Sequence, residues 1–166
     1  MGLPQFLDIE FAATATGYLP TAMAWSLADG RMKTVVVTPE DDWLPDDPDD
    51  HELDLTYLQE QGAPALDVVQ EMSEDLGDTT VFVDGLDPDE SLLEWLFESL
   101  GRPLPFEVTT VDRLIHGVDS GELEDWRREL MVTHGLEPQL PESGVYALLL
   151  LARDAGLIQG MEAGEL

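Results

Sequence analysis

The sequence predicts an α/β domain built around one mixed sheet. Near the N-terminus, three strand patterns follow one another and are joined by tight turns, which is typical of an antiparallel meander. After residue 64, helical and strand patterns alternate, which is typical of parallel strands joined by crossover helices. Together these patterns predict a meander followed by parallel strands, with helices on both faces of the sheet. The 166 residues, 43% of them apolar, are enough for one domain with a buried core.

The meander is predicted from alternation and turn chemistry. Apolar and acidic residues alternate over Phe6–Phe11, which suits a strand with one face on the core. A second strand is expected over Tyr18–Leu27 and a third, rich in β-branched residues, over Met32–Thr38. Asp29-Gly30, between the last two, is a strong signal for a two-residue turn.

In the rest of the chain, helices and strands are predicted from apolar periodicity and from the positions of proline and glycine. Thr38–Asp54 is rich in acids and prolines and predicts a solvated loop. Leu66–Leu76 carries a helical apolar stripe, and Pro64 suits the start of that helix. The expected elements that follow are a strand at Thr79–Val83, a helix at Glu90–Leu100 ended by Gly101, a strand at Phe106–Val111, a helix at Leu123–Val132, and a last helix capped by Ser143 that runs to about Ala155. The domain is therefore expected to span residues 1–156, with 157–166 as a flexible tail.

The charge of the chain is its most unusual property. Asp and Glu number 36 against 7 Lys plus Arg, which gives a formal net charge of −29. Three interpretations compete: an acidic surface adapted to a high-salt cytoplasm, a mimic of nucleic acid that occupies a basic partner, and a cation-rich site with acids as ligands. The acids are spread over the whole chain, which favours the first interpretation.

Several classes of function are excluded or disfavoured by composition. Cysteine is absent, which excludes disulfides, thiolate zinc sites and cysteine nucleophiles. The longest apolar run, Val145–Ala152, is too short to cross a bilayer and predicts a buried helix. The N-terminus has neither the basic nor the apolar region of a signal peptide, so a cytoplasmic protein without membrane contact is expected.

A pair of carboxylates on the first strand is the leading candidate site. Asp8 and Glu10 are two residues apart, so both side chains leave the strand on the same face. Two carboxylates aimed into a cleft need a cation, and oxygen ligands of this kind suit Mg²⁺ or Mn²⁺. Alternation also allows a second interpretation, in which Leu7, Ile9 and Phe11 pack inside and the acids lie on an exposed face.

With these residues in view, the chain resembles the DEDD-type 3′–5′ exonucleases, the proofreading branch of the ribonuclease-H-like superfamily. The first motif of that family is matched by Asp8-Ile9-Glu10, and a small-apolar-Trp strand follows at Ala22–Trp25. The second motif is matched by the strand end Val81–Asp84, the carboxylate Asp89 and the helix that begins with Leu92-Leu93. The likeness needs no gap over Val81–Phe106.

The third motif departs from the family pattern. Ala152-Arg153 sets the alignment, which places the family's His or Tyr at Tyr146 and its Asp at Leu151, or at Leu150 in the spacing of the tyrosine-bearing members. A leucine thus stands where a carboxylate is expected. The nearest acid is Asp154, about one helical turn beyond Leu151, where a solvated acid is the simpler interpretation.

The resemblance implies a ribonuclease-H-like fold and two-metal hydrolysis of nucleic-acid phosphodiesters from a 3′ end. It implies that Asp8 bridges two Mg²⁺ or Mn²⁺ ions, that Glu10 and the third-motif carboxylate complete the first site, and that Asp89 supports the second through water. Tyr146 would act as the aromatic general base and Asp154 as a substitute ligand. The alternative is a catalytically impaired exonuclease-like domain that serves as a binding or regulatory module.

Other candidate residues carry weaker signals. His51, His116 and His134 have no partner at ligand spacing, and His134 beside Gly135 is typical of a helix C-terminus. Arg127-Arg128 is the only pair of adjacent basic residues, which is too little for a nucleic-acid groove.

Overall fold

The computed structural model describes residues 4–14, 17–43, 55–83, 89–115, 119–137 and 140–156. The strands are β1 Gln5–Thr14, β2 Gly17–Ser26, β3 Met32–Thr38, β4 Ala63–Pro64, β5 Thr80–Val83 and β6 Glu107–Thr110. The helices are α1 Leu55–Gln61, α2 Ala65–Leu76, α3 Asp89–Ser99, α4 Ser120–Thr133 and α5 Pro141–Asp154. Short 3₁₀ turns lie at Asp41–Trp43 and Val111–Arg113.

The six strands form one mixed sheet in the order β4-β3-β2-β1-β5-β6. β1, β2 and β3 pair antiparallel, whereas β5 pairs parallel to β1 and β6 pairs parallel to β5. The predicted meander followed by parallel strands is therefore confirmed. β1 lies between the two parts of the sheet, with the meander on one side and the parallel strands on the other.

The turn and the bulge of the meander both lie where local chemistry allows them. The backbone N–H of Leu27 donates to the carbonyl of Arg31 over 2.7 Å, and Gly30 takes a positive φ of 91° that favours glycine. A turn therefore lies where it was predicted, but it spans three residues rather than two, because Gly30 also donates its N–H to the carbonyl of Leu27 over 2.9 Å. The register of β1 on β2 shifts between Glu10 and Phe11, which is a bulge that follows the acidic pair directly.

The sheet carries an apolar core on each face. Leu7, Ile9 and Trp25 belong to the first core, which α2 and α3 cover. Phe6 and Ala24, their neighbours in sequence, belong to the second core, which α4 and α5 cover. Successive residues of a strand point to opposite faces, so β1 is buried on both sides over its first half. Helices on both faces of the sheet were predicted, and this is confirmed.

Some elements differ from the prediction. Helix α1 and the short strand β4 were not expected, because seven residues with few apolar positions give a weak helical signal. Helix α4 begins earlier than expected, because Asp119 accepts the backbone N–H of Glu122 over 2.9 Å and caps it. The prediction that Ser143 caps the last helix is wrong: α5 begins at Pro141, a residue suited to a first turn, and Ser143 is buried inside that turn.

Other predictions concern His134, Phe11 and the segments outside the described residues. His134 is the C-cap residue of α4, as predicted. Phe11 was expected on the packed face of β1, but beyond the bulge it is 38% exposed and contacts Tyr18 edge to face. Most of the acidic loop, His51, His116 and the expected tail after Gly156 lie outside the described residues.

A buried tryptophan links the sheet to α2 through a charged network. The indole Nε1 of Trp25 donates to Asp75 over 2.9 Å, and Asp75 also pairs with Lys33 at 2.8 Å. Hydrogen bonds to Asp75 and then Glu71 raise the pKa of Lys33 above its ordinary value. The stabilisation from this ammonium is therefore fully present below pH ~10.5 and is lost only as the pH rises through the raised pKa.

We expect Trp25→Phe to lower the free energy of unfolding by at least about 2 kcal/mol, because it removes a hydrogen bond to a charged acceptor and leaves a cavity in the first core. Urea unfolding followed by circular dichroism measures the loss. Trp95→Phe is the matched control, since Trp95 is partly exposed and stacks only on Trp43 in the described residues. Equal losses in the two variants would show that neither the burial of Trp25 nor its bond to Asp75 contributes to stability.

Candidate functional site

The acidic pair of β1 lies under α5. Asp8 is only 8% exposed and lies on the face of β1 that carries Phe6, whose ring belongs to the second core. Asp8 and Glu10 lie opposite Ala24 and Ala22 of β2, whose short side chains leave room above the strand. The interpretation that both acids line an exposed strand face is therefore wrong for Asp8. Both carboxylates take part in polar interactions of the fold.

The point where α5 crosses β1 is Gly144. A β-carbon built on Gly144 would lie 2.7 Å from the carboxyl carbon of Asp8 and closer still to its Oδ2 atom. Real side chains essentially never come this close, so only glycine lets the helix backbone lie directly on the carboxylate. The Gly144 position thus fixes how α5 is placed along β1.

A positive charge is brought to the same point by the neighbouring helix. Nη2 of Arg127, on α4, lies 2.9 Å from that same β-carbon position over Gly144. The carboxylate of Asp8 and the guanidinium of Arg127 are therefore neighbours beneath α5. An ionised carboxylate out of water is costly unless it is compensated, and a guanidinium this near is a group that can contribute to that compensation.

The third-motif residues lie away from Asp8. Leu151 is on the same side of α5 as Gly144 but about 10 Å further along the axis, at 1.5 Å per residue. Leu150 and Leu151 are both fully buried in the second core. Tyr146 is two residues from Gly144, so it leaves the helix about 200° around the axis. Its ring packs instead towards His134, with 6.5 Å between ring centroids.

Asp154 and Asp89 were also expected as metal ligands, and the described residues place neither carboxylate at Asp8. Asp154 is ten residues from Gly144, about 15 Å along α5, which is too far to share an ion with Asp8. Its side chain is exposed and pairs with Arg153 at 3.3 Å. Asp89 is the first residue of α3, and its side chain lies outside the description.

The described residues do not fit a two-metal site. Within the described ranges, no three Asp, Glu or His side chains converge on a point where they could hold an ion. The face of α5 that begins at Gly144 continues through Ala147, Leu148 and Leu151, none of which offers an oxygen ligand. Arg127 adds a positive charge beside Asp8, which disfavours a divalent cation there.

A separate pocket lies next to the first turn of α5. It measures about 350 Å³ and is open to solvent. Its lining residues come from the start of β3, the end of α4 and the start of α5: Met32, His134, Leu136, Glu142, Ser143 and Tyr146. Tyr146, the expected general base, therefore lines this pocket.

Neither Gly144 nor Arg127 was predicted from the sequence to lie at this site. Gly144 interrupts the start of an otherwise apolar helix, and a glycine in a helix costs about 1 kcal/mol relative to alanine, so it was a signal of close approach. Arg127 follows Trp126 on a helix rich in acids, where an arginine is more simply interpreted as part of a solvated face.

Comparisons with known proteins bear on the fold alone. No protein-family model and no curated protein sequence matches this chain. A solved structure titled "Structure of yeast NOT1 MIF4G domain co-crystallized with CAF1" contains a chain similar to this one, with a TM-score of 0.57 and 11% sequence identity. The match covers 92% of this chain and 77% of that chain.

We expect Leu151→Asp, which supplies the third-motif carboxylate where the sequence alignment puts it, to destabilise the protein by more than about 4 kcal/mol without creating a metal site. The new charge would lie in an apolar core about 10 Å from the crossing point. Urea unfolding and titration calorimetry with Mn²⁺ measure the two effects. Leu151→Met is the control for volume and should cost less than about 1.5 kcal/mol. Tight Mn²⁺ binding by a folded Leu151→Asp protein would contradict the placement of α5.

Proposed function

We propose that this chain is an exonuclease-like domain of the ribonuclease-H-like type that acts as a binding or regulatory module and does not carry out two-metal hydrolysis. The observation that carries the proposal is the crossing of α5 over Asp8 at Gly144. The resemblance implies a third carboxylate beside Asp8, whereas the residue of α5 that lies over Asp8 is Gly144 and the neighbouring charged group is the guanidinium of Arg127.

The sheet supports the fold part of the proposal. β1 carries the Asp-x-Glu pair and lies between the meander and the parallel strands, as the resemblance implies. The parallel strand β5 is followed by a helix that begins at Asp89, which agrees with the second motif. The helix of the third motif packs on β1 and on α4.

The charge of the chain bears on the partner. A net charge of −29 repels phosphates, so nucleic acid is a poor ligand unless metal ions or salt intervene. Four of the seven basic residues, Arg31, Lys33, Arg128 and Arg153, pair with nearby acids, which leaves few to contact phosphates. A basic partner is the class that this surface attracts. Among the described residues, no helix is long and apolar enough to cross a bilayer. We propose a cytoplasmic location.

A second candidate function is the metal-dependent 3′–5′ exonuclease itself, with Mg²⁺ or Mn²⁺ and a nucleic-acid 3′ end as substrate. Asp8 and Glu10 on one face of β1 favour it, together with the position of Asp89 at the start of α3. In this case Asp8, Glu10 and Asp89 would hold the ions and polarise the attacking water. The fit of Arg127 against Asp8 argues against it.

An exonuclease assay separates the two candidates. Single-stranded DNA and RNA labelled at the 5′ end are incubated with the protein and millimolar Mg²⁺ or Mn²⁺ at low and molar salt, because screening is needed to offset the negative charge. We expect no release of mononucleotides under any of these conditions. Release that is abolished in both Asp8→Asn and Asp89→Asn would instead establish the exonuclease.

The binding part of the proposal has its own measurement. We expect a fluorescent Lys- and Arg-rich peptide to bind at low salt and to dissociate as the salt rises, because the attraction is between exposed charges. A labelled oligonucleotide of equal length should not bind. If the oligonucleotide binds and the peptide does not, the domain belongs to the nucleic-acid-binding class.

A further inference from the structure

We infer that the pocket beside the first turn of α5 binds a single arginine side chain of a basic protein partner. In this inference Glu142 pairs with the guanidinium, and the rings of His134 and Tyr146 form the wall on which it stacks. The inference rests on the proposed function in so far as that function calls for a basic partner. It goes further by naming the side chain that is recognised and the residues that select it.

The first argument is the environment of the Glu142 carboxylate. Glu142 lines the pocket and is partly exposed, yet its Oε2 atom is buried and receives no hydrogen bond from the described residues. Buried polar atoms in folded proteins nearly always have a partner, so this oxygen carries a desolvation cost. A cation in the pocket would offset that cost, because the negative charge of a carboxylate is shared by its two oxygens.

The second argument is the chemistry of the pocket walls. The rings of His134 and Tyr146 meet at 77° with 6.5 Å between their centroids, and Met32 and Leu136 add apolar surface. A guanidinium is flat, stacks on aromatic faces and pairs with a carboxylate through two N–H groups. Within the described ranges, no three Asp, Glu or His side chains converge to hold a metal ion. The lining therefore fits an organic cation.

The third argument is that two helix ends frame the pocket. Helix α4 ends in a tight turn in which Gly135 has a φ of 65° and the N–H of Leu136 donates to the carbonyl of Met131 over 2.8 Å. This turn fixes the pocket wall, and the C-terminal end of a helix favours positive charge. The N-terminal end of α5 favours negative charge, which Glu142 in its first turn already supplies.

The surface around the pocket indicates a protein partner. Met32, which lines the pocket, is 37% exposed, and so is Leu140, two residues before Glu142. Val132, two residues before His134, is 78% exposed. Apolar side chains gathered beside a polar pocket are typical of protein-binding surfaces. A pocket of about 350 Å³ is at the small end for ligand sites and has room for one side chain. The net charge of −29 attracts a basic chain to this surface.

Binding of capped pentapeptides to the full chain, followed by NMR, tests the inference. Each peptide carries one central arginine, lysine or citrulline between glycine and serine residues, and about 0.5 M NaCl suppresses binding to the rest of the acidic surface. We expect the arginine peptide to bind with a Kd of about 1 mM and to shift the amide signals of residues 134–136 and 142–146. Citrulline, the neutral analogue, should bind at least about tenfold more weakly, and lysine several-fold more weakly because it does not stack.

Variants of the pocket locate the contact. Glu142→Gln should weaken binding of the arginine peptide at least about tenfold, and Tyr146→Leu should weaken it about threefold. Tyr146→Phe keeps the ring and should bind as the wild type does. Glu129→Gln is the matched control, because Glu129 is exposed on α4, does not line the pocket and loses the same charge. Equal weakening by Glu142→Gln and Glu129→Gln would overturn the inference.

The peptide series uses the unaltered chain, so the test stays decisive if a variant does not fold. Equal binding of the arginine and citrulline peptides would overturn the inference, as would shifts confined to other parts of the chain. If a Lys- and Arg-rich peptide binds but the single-arginine peptide shifts no pocket signal, only the arginine pocket is refuted. Release of mononucleotides by a chain that still binds the arginine peptide at 134–136 and 142–146 would refute the proposed function and leave the pocket standing.

Discussion

The rest of this structure depends on a charge that the first strand places inside the protein. Asp8 leaves β1 towards the second core, and α5 covers it. A covered carboxylate sets two requirements: the covering helix must come close enough to exclude water without a steric clash, and a positive charge must be near. Gly144 meets the first requirement and Arg127 meets the second, and they come from different helices. The packing of α4, α5 and β1 against one another is therefore tied to one ionic group.

Lysine and arginine are scarce in this chain, which gives the position of each one more weight. With 36 acids and 7 basic residues, the chain has about five acids for each basic side chain, so hydration has to compensate most of the negative charge. Lys33 and Arg127 both lie between elements of structure: Lys33 joins β3 to α2 through Glu71 and Asp75, and Arg127 of α4 lies at the crossing of α5 on β1. One lies on each face of the sheet. Surface ion pairs such as those of Lys33 are weak and sensitive to salt. The guanidinium of Arg127 is half-buried and therefore better shielded from the solvent.

The sequence predicted local features well and the placement of α5 poorly. Alternation and the Asp29-Gly30 turn set the meander, and the face shared by Asp8 and Glu10 follows from their spacing alone. The run Val145–Ala152 is apolar throughout, so many rotations and shifts of α5 bury leucine equally well. The actual placement is decided by one close contact at Gly144. Sequence periodicity does not report such a contact, because it depends on how two distant segments meet in space.

Retention of Asp8 and Glu10 is for this reason weak evidence of catalysis. A metal site is assembled from several strands and helices, and an acid on one strand has a structural role as soon as another segment supplies a cation. Arg127 would allow Asp8 to remain buried after a third-motif carboxylate is lost, because the guanidinium satisfies the same electrostatic demand. The opposite order would be unfavourable: a buried Asp8 that loses its metal without a substitute would destabilise the core. In the binding module proposed above, the guanidinium would therefore let Asp8 stay buried without a metal ion.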